Sequence, residues 1–161
     1  MTEFQIRSYT PRDAAWVQAA HARHYWSVDG FDDTFGALVE SILRDFDADH
    51  DPAREAGWIA VDDAANPVAC IFCVAVDTQT AKLRMFLVTE AVRGCGLGFR
   101  LLQTCIGFAQ AKGYKGMRLW THESHVAACA LYRRNGWRLV HSKPVHSFGQ
   151  DLVEQEWEIH F

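Results

Sequence analysis

Long apolar runs are missing from this chain. No stretch of its 161 residues approaches the ~20 apolar residues that span a bilayer. Met1-Thr2-Glu3-Phe4-Gln5 is polar and acidic and lacks the basic-then-apolar layout of a secretory leader, so the expectation is a cytoplasmic protein with no membrane partner. Excess positive charge is missing too: 16 Lys and Arg against 20 Asp and Glu leave a formal net charge of −4. The basic residues are spread along the chain, whereas nucleic acid calls for a concentrated basic face. No nucleic-acid partner is expected, although one anionic ligand at a local site stays possible. The five cysteines are odd in number and lack the spacing of a disulfide framework, so reduced thiols are expected. Cys70 and Cys73 form the one Cys-x-x-Cys, in a strand-like apolar run where residues three apart point to opposite faces. That argues for core packing and against a metal. Linkers, repeats and low-complexity tracts are absent as well.

What is present is an ordinary globular mixture, 49% hydrophobic and 22% charged, and one domain over residues 1–161 is expected. Gln5-Ile6-Arg7 reads as a strand. Thr10-Pro11-Arg12-Asp13 then signals a helix start, with Thr as N-cap and Pro in the first turn. This helix is predicted to reach about His24 and give way to an aromatic turn, Tyr25 to Gly30. Phe35, Leu38, Val39, Ile42, Leu43 and Phe46 repeat with helical spacing, and a surface loop follows from Asp47 to Glu55. Strands are predicted at Trp58 to Val61, Val68 to Val76 and Ala81 to Val88. A helix then buries Leu101, Leu102, Cys105, Ile106, Phe108 and Ala109 and stops at Gly113. Met117 to Thr121 is a strand, and Ser124 caps a short helix ending at Asn135-Gly136. Two strands close the chain, around Trp137 to Val145 and Asp151 to Phe161. In the last, Val153, Trp157, Ile159 and Phe161 alternate with Glu154, Glu156 and Glu158. Either a homodimer or an internal partner would cover that apolar face. The order β-α-α-β-β-β-α-β-α-β-β is that of an α+β fold: a mixed, mostly antiparallel sheet of about seven strands flanked by about four helices.

The most informative segment runs from Leu87 to Arg100, where a strand ends, Gly94, Gly96 and Gly98 recur at every second position, and a helix begins. Glycines let a backbone approach a ligand and turn its N–H groups inward. A helix start adds unpaired donors and the positive end of a dipole, which suits phosphate. Phe99-Arg100 after the last glycine breaks the Walker pattern. The spacing is not that of the dinucleotide fingerprint, and the preceding strands look antiparallel. Glycines alone leave an empty tight turn as good a reading as a phosphate cradle.

The wider pattern resembles the GNAT superfamily of acetyl-CoA-dependent N-acetyltransferases. Arg93-x-x-Gly96-x-Gly98 matches its first motif. The strand Met117-Arg118-Leu119-Trp120-Thr121, followed by Ala128-x-x-Leu131-Tyr132-x-x-x-Gly136-Trp137, matches its second. The resemblance covers essentially the whole chain. A narrower one is to the acetyltransferase half of MarR-type regulator–GNAT fusion proteins, carried by Ala81-Lys82-Leu83-Arg84, Leu119-Trp120-Thr121 and the segment His146 to Gln155.

This resemblance implies a three-layer α/β fold and transfer of an acetyl group from acetyl-CoA to a primary amine of a small molecule or peptide, by direct attack through a tetrahedral intermediate. A non-catalytic acetyl-CoA sensing module is the alternative, and an interaction domain with an empty loop a third reading. By the same resemblance, the N–H groups of Arg93, Gly94, Cys95, Gly96, Leu97 and Gly98 would cradle the CoA pyrophosphate. The strand end at Leu87 and Val88 would pair with the pantetheine arm and offer an oxyanion donor. Tyr132 would protonate the leaving thiolate, while Leu131 points into the core. The chain departs from the family pattern at two positions. His125 stands where pantetheine-contacting Asn is common, so it is either a ligand contact or a solvent-facing helix residue. Glu90 stands where many relatives have Pro and reads as a turn residue. Cys95 is a spacer inside the loop, at a helix start where a thiolate is stabilised. The general base is not evident: His146 and His24 are candidates, Glu40 has suitable chemistry, and water can take the proton. Tyr25, Trp26 and Phe31 are candidates for lining the acceptor site or for packing.

Overall fold

The computed structural model describes residues 3–161. Seven strands form one sheet, β1 (Gln5–Ser8), β2 (Ala56–Val61), β3 (Pro67–Ala75), β4 (Thr80–Val88), β5 (Gly116–His122), β6 (Arg138–Ser147) and β7 (Gln150–His160), in the order β1-β2-β3-β4-β5-β7-β6. Every neighbouring pair is antiparallel except β4 and β5. Four helices complete it: α1 (Ala14–Asp29), α2 (Asp33–Asp49), α3 (Leu97–Ala111) and α4 (Val126–Arg134). Strand alternation divides the core in two. Ile59, Cys70, Phe72 and Leu87 face Val17 of α1 and Val39, Leu43 and Phe46 of α2. Ala60, Ile71, Cys73 and Leu83 face Leu101, Leu102 and Cys105 of α3 and Tyr132 of α4. Cys70 and Cys73 thus lie on opposite faces, as their spacing requires.

The start of α1 is anchored by its own sequence. The Thr10 N–H donates to Asp13 Oδ2 at 2.9 Å, and Arg7 on β1 binds both Asp13 oxygens at 2.8 Å. The Arg7 hydrogen bonds hold the Asp13 carboxyl below its usual pKa range. Helix α1 continues past His24 to Asp29, so the expected aromatic turn is helical. Its stop is Gly30, left-handed at φ 69°. Trp26 and Val28 break the apolar spacing because they point outward, 71% and 60% exposed.

Strands β6 and β7 are joined by Phe148-Gly149, both at positive φ, a two-residue turn whose twist matches the flanking strands. The turn docks on the α1–α2 corner. Asp32 N–H donates to Phe148 O at 3.0 Å, Gln150 Nε2 donates to Gly30 O at 3.1 Å, and the Phe148 ring packs on Phe31 and Phe35. The apolar face of β7 is used internally, with Trp157 in the core beside Tyr132. Ile159 packs against the same core, while Phe161 stays exposed.

Candidate active site

Two features of β4 open the sheet. Parallel pairing with β5 covers only Thr80↔Gly116, Ala81↔Met117 and Lys82↔Arg118, after which β4 runs on to Val88 and β5 to His122 without further pairing. In addition, Met85 and Phe86 stand opposite Ile71 alone, a bulge in which Met85 takes the left-handed φ of 55°. A bulge bends a strand and increases its twist, so the distal half of β4 swings away from β5 and leaves a gap in the middle of the sheet.

The glycine loop closes one end of this gap. Gly94 and Gly96 are left-handed at φ 79° and 83°, and a Cβ on either would meet nothing within 4 Å. Among the described residues, no backbone N–H from Gly94 to Phe99 reaches a protein acceptor; the first donor of α3 that does is Arg100, to Gly96 O. Consecutive unpaired donors at a helix start facing open space fit a pyrophosphate. Gly98 lies within reach of Phe86, Val88 and Leu131, which seats the helix start against the end of β4. Arg93 folds back over the loop, donating through Nε to Val88 O at 2.9 Å and standing 3.3 Å from His24 Nδ1. Cys95 is an exposed thiol donating to Val92 O, and Glu90 sits in a short 3-10 turn at the surface.

The gap continues into a cavity of about 210 Å³ lined by residues of α1, α2, β4, β5 and α4. Tyr132 lines it from α4, backed by Phe86, Trp137 and Trp157. Its hydroxyl has no hydrogen-bond partner among the described residues, and burial pushes its pKa well above the usual tyrosine value, so it stays protonated. His125 lines the cavity as well. Its Nε2–H donates to Asp29 Oδ2 at 2.9 Å, and its Nδ1 lies 3.4 Å from the Thr121 hydroxyl, so both ring nitrogens are engaged within the protein. Asp29 also accepts from Ser124 Oγ at 3.1 Å. Ser124 therefore ties α1 to α4, and the residue preceding α4 as its N-cap is His125. His122, at the end of β5, has a buried Nδ1 without a partner among the described residues. Burial, and next the nearby His125, lower its pKa from the usual 6.5, which keeps it neutral and able to accept a proton.

On the α1–α2 side of the sheet the same cavity meets Lys82, Arg84 and Trp120. The base candidates named from sequence lie elsewhere. His146 is exposed and bound to Asp151 at 2.9 Å, His24 attends Arg93, and Glu40 faces a groove between α1 and α2. Of the aromatic residues, Tyr25 lines the cavity, Phe31 is buried behind it and Trp26 points to solvent. Sequence reasoning gave no site role to His122, Asp29, Lys82 or Arg84. The signals were there: a His-x-x-His at a strand end, and two cations at alternate positions of an otherwise apolar strand.

The central sheet is thus parted between two parallel strands, with a donor-rich helix start at the mouth of the gap. Residues 14–137 match the model of the Acetyltransferase (GNAT) family; the chain belongs to that family, whose cosubstrate is acetyl-CoA. A GNAT-family acetyltransferase from Staphylococcus aureus Mu50 superposes with a TM-score of 0.78 at 16% identity, over 98% of this chain and 99% of that one. One from Elizabethkingia anophelis, with acetyl-CoA bound, gives 0.67 at 17% identity over 98% of each. At such identities the likeness is one of fold. A curated relative, Probable N-acetyltransferase 14 of Xenopus tropicalis, is 30% identical over 84 residues, 52% of this chain and 41% of the relative. The chain thus spans about two fifths of that protein's length. No helix among the described residues is long and apolar enough to cross a membrane.

Proposed function

We propose that the chain transfers the acetyl group of acetyl-CoA to a primary amine, and that Tyr132 is its general acid. The observation that carries this is the position of Tyr132, which lines the cavity that continues the β4–β5 gap and whose hydroxyl has no hydrogen-bond partner among the described residues; burial raises its pKa. The N–H groups from Gly94 to Gly98 would hold the pyrophosphate, with Arg93 at the rim. The edge of β4 at Leu87 and Val88, which β5 does not pair with and where Val88 O accepts from Arg93 Nε, would take the pantetheine arm.

In this reading the lone pair of a neutral amine forms the C–N bond at the thioester carbonyl carbon. The C–S bond breaks with its electron pair leaving on sulfur, and the phenol proton of Tyr132 moves to that sulfur. His122 takes the proton shed by the nitrogen. His125 shapes the cavity wall through Asp29 and Thr121, a positioning role in place of the pantetheine contact. The three segments that resemble the MarR-type fusion proteins converge here: Lys82 and Arg84, Trp120 and Thr121 line the cavity, and Phe148 packs on Phe31 behind it. We therefore infer that the acceptor side follows that subgroup. The test is acetyl-CoA with a panel of amines and mass-spectrometric detection of acetylated product. Acetylation of any panel amine, abolished by omitting the protein, supports the reading. Acetyl-CoA binding with no amine turned over by the folded protein contradicts it.

A further inference from the structure

We propose that Lys82 and Arg84 form a receptor for an anionic group on the acceptor, so that the substrate is an amino-acid-like amine carrying a carboxylate or a similar oxyanion. This inference rests on the acetyltransferase reading and narrows it to a substrate class.

Both cations are half-buried and line the cavity, and neither has an ion-pair or hydrogen-bond partner among the described residues. Buried charge without a counter-ion is costly, and desolvation lowers the pKa of both side chains. The nearby acids are committed elsewhere. Glu55, whose charge offsets part of that lowering at Arg84, makes no ion pair with it and accepts from the backbone N–H groups of Asp51 and Ala75. Glu154, whose charge acts weakly in the same sense on Lys82, makes no ion pair with it and lies 4.0 Å from Lys143. What holds Lys82 in place is the Trp120 ring, 4.5 Å from its ammonium, a contact that orients a cation without neutralising it.

Register places this pair on the acceptor's side. Residues 80, 82 and 84 of β4 point toward α1 and α2, and so do Trp120 and His122 of β5, because their neighbours Leu83 and Leu119 enter the core on the α3–α4 side. Tyr132 and the glycine loop belong to that opposite side. A molecule entering over Trp120 therefore meets the cations first and presents its far end to His122 and the gap. A guanidinium beside an ammonium matches a carboxylate or phosphonate and repels a polyamine. The cavity of about 210 Å³ is below the size of sites that hold drug-sized ligands and suits an amino acid.

The experiment has two arms. Turnover of acetyl-CoA is measured with the standard amino acids, their C-terminal amides, putrescine and spermidine. Binding of the N-acetyl amino acids and their amides to CoA-saturated protein is measured by calorimetry. We expect acids to be preferred over matched amides by roughly ten- to hundred-fold in kcat/KM and in affinity. Arg84→Gln should erase that preference by raising KM with kcat and acetyl-CoA affinity unchanged, Arg84→Lys should restore part of it, and Lys82→Gln gives an independent check should Arg84→Gln fold poorly. Equal use of acids and amides, or preference for the polyamines, overturns the anion receptor while leaving the transferase intact. Absence of turnover with acids still bound better than amides overturns the catalytic reading alone, and absence of both overturns both.

Discussion

Tyr132→Phe removes one oxygen atom, and two readings of that oxygen predict different results. If Tyr132 is a packed aromatic residue, its ring contacts with Phe86, Trp137 and Trp157 are kept by phenylalanine. The lost hydroxyl had no protein partner among the described residues, so nothing is left unpaired. Stability should then change by no more than about 0.5–1 kcal/mol. If the hydroxyl protonates the leaving sulfur, its loss removes a general acid, which contributes about 10²–10⁴-fold in rate, or roughly 3–5 kcal/mol of barrier. Two assays separate the readings. Chemical denaturation should show near-native stability, and steady-state kinetics should show kcat down by at least about 100-fold with acetyl-CoA affinity unchanged. Burial keeps the hydroxyl protonated, so the wild-type enzyme should show no alkaline loss of kcat below pH of about 10. An unchanged kcat in Tyr132→Phe refutes the assignment.

His122 is held below its usual pKa of 6.5 by burial, so a base role places the acidic fall of kcat at a pH lower than that of an ordinary histidine; His122→Gln should lower kcat by about 100-fold and remove the acidic limb, and an unaltered limb would assign it to another group. Asp29 carries hydrogen bonds from both Ser124 and His125, so Asp29→Asn should cost about 1.5–3 kcal/mol in denaturant unfolding, loosening the contact between α1 and α4. His21 is buried on α1, donates to Val17 O at 2.8 Å, and has its pKa lowered to about 4. A depressed histidine contributes stability that is present above its unfolded pKa of 6.5 and lost as pH falls toward 4. Unfolding free energy should therefore drop by about 3 kcal/mol across that window, and His21→Asn should flatten the dependence.

Much of the architecture is legible locally. Apolar runs on either side of a turn gave β2 and β3, alternation gave β4 and β7, helical spacing gave α2 and α3, and the glycine loop marked itself by composition. Local signals failed where a residue serves a distant partner. Tyr25 to Asp29 looks like a turn because Trp26 and Val28 are exposed, yet the segment stays helical to deliver Asp29 to His125, 96 positions away in sequence. Ser124 looks like a cap, but its hydroxyl is spent on Asp29. The acceptor side was hidden for a similar reason. Lys82, Arg84, Trp120 and His122 converge only because β5 pairs parallel to β4 for three residues and then parts from it, and no single segment encodes that pairing.

Calorimetric titration of the purified protein with acetyl-CoA tests whether the unpaired donors from Gly94 to Phe99 receive the cosubstrate. Saturable binding at one site is expected, lost in Gly96→Trp, which strains the left-handed position and fills the open space before the loop while the rest of the fold is retained by circular dichroism. A folded wild-type sample that binds no acetyl-CoA even at about 1 mM, the upper end of ordinary KM values, would contradict it.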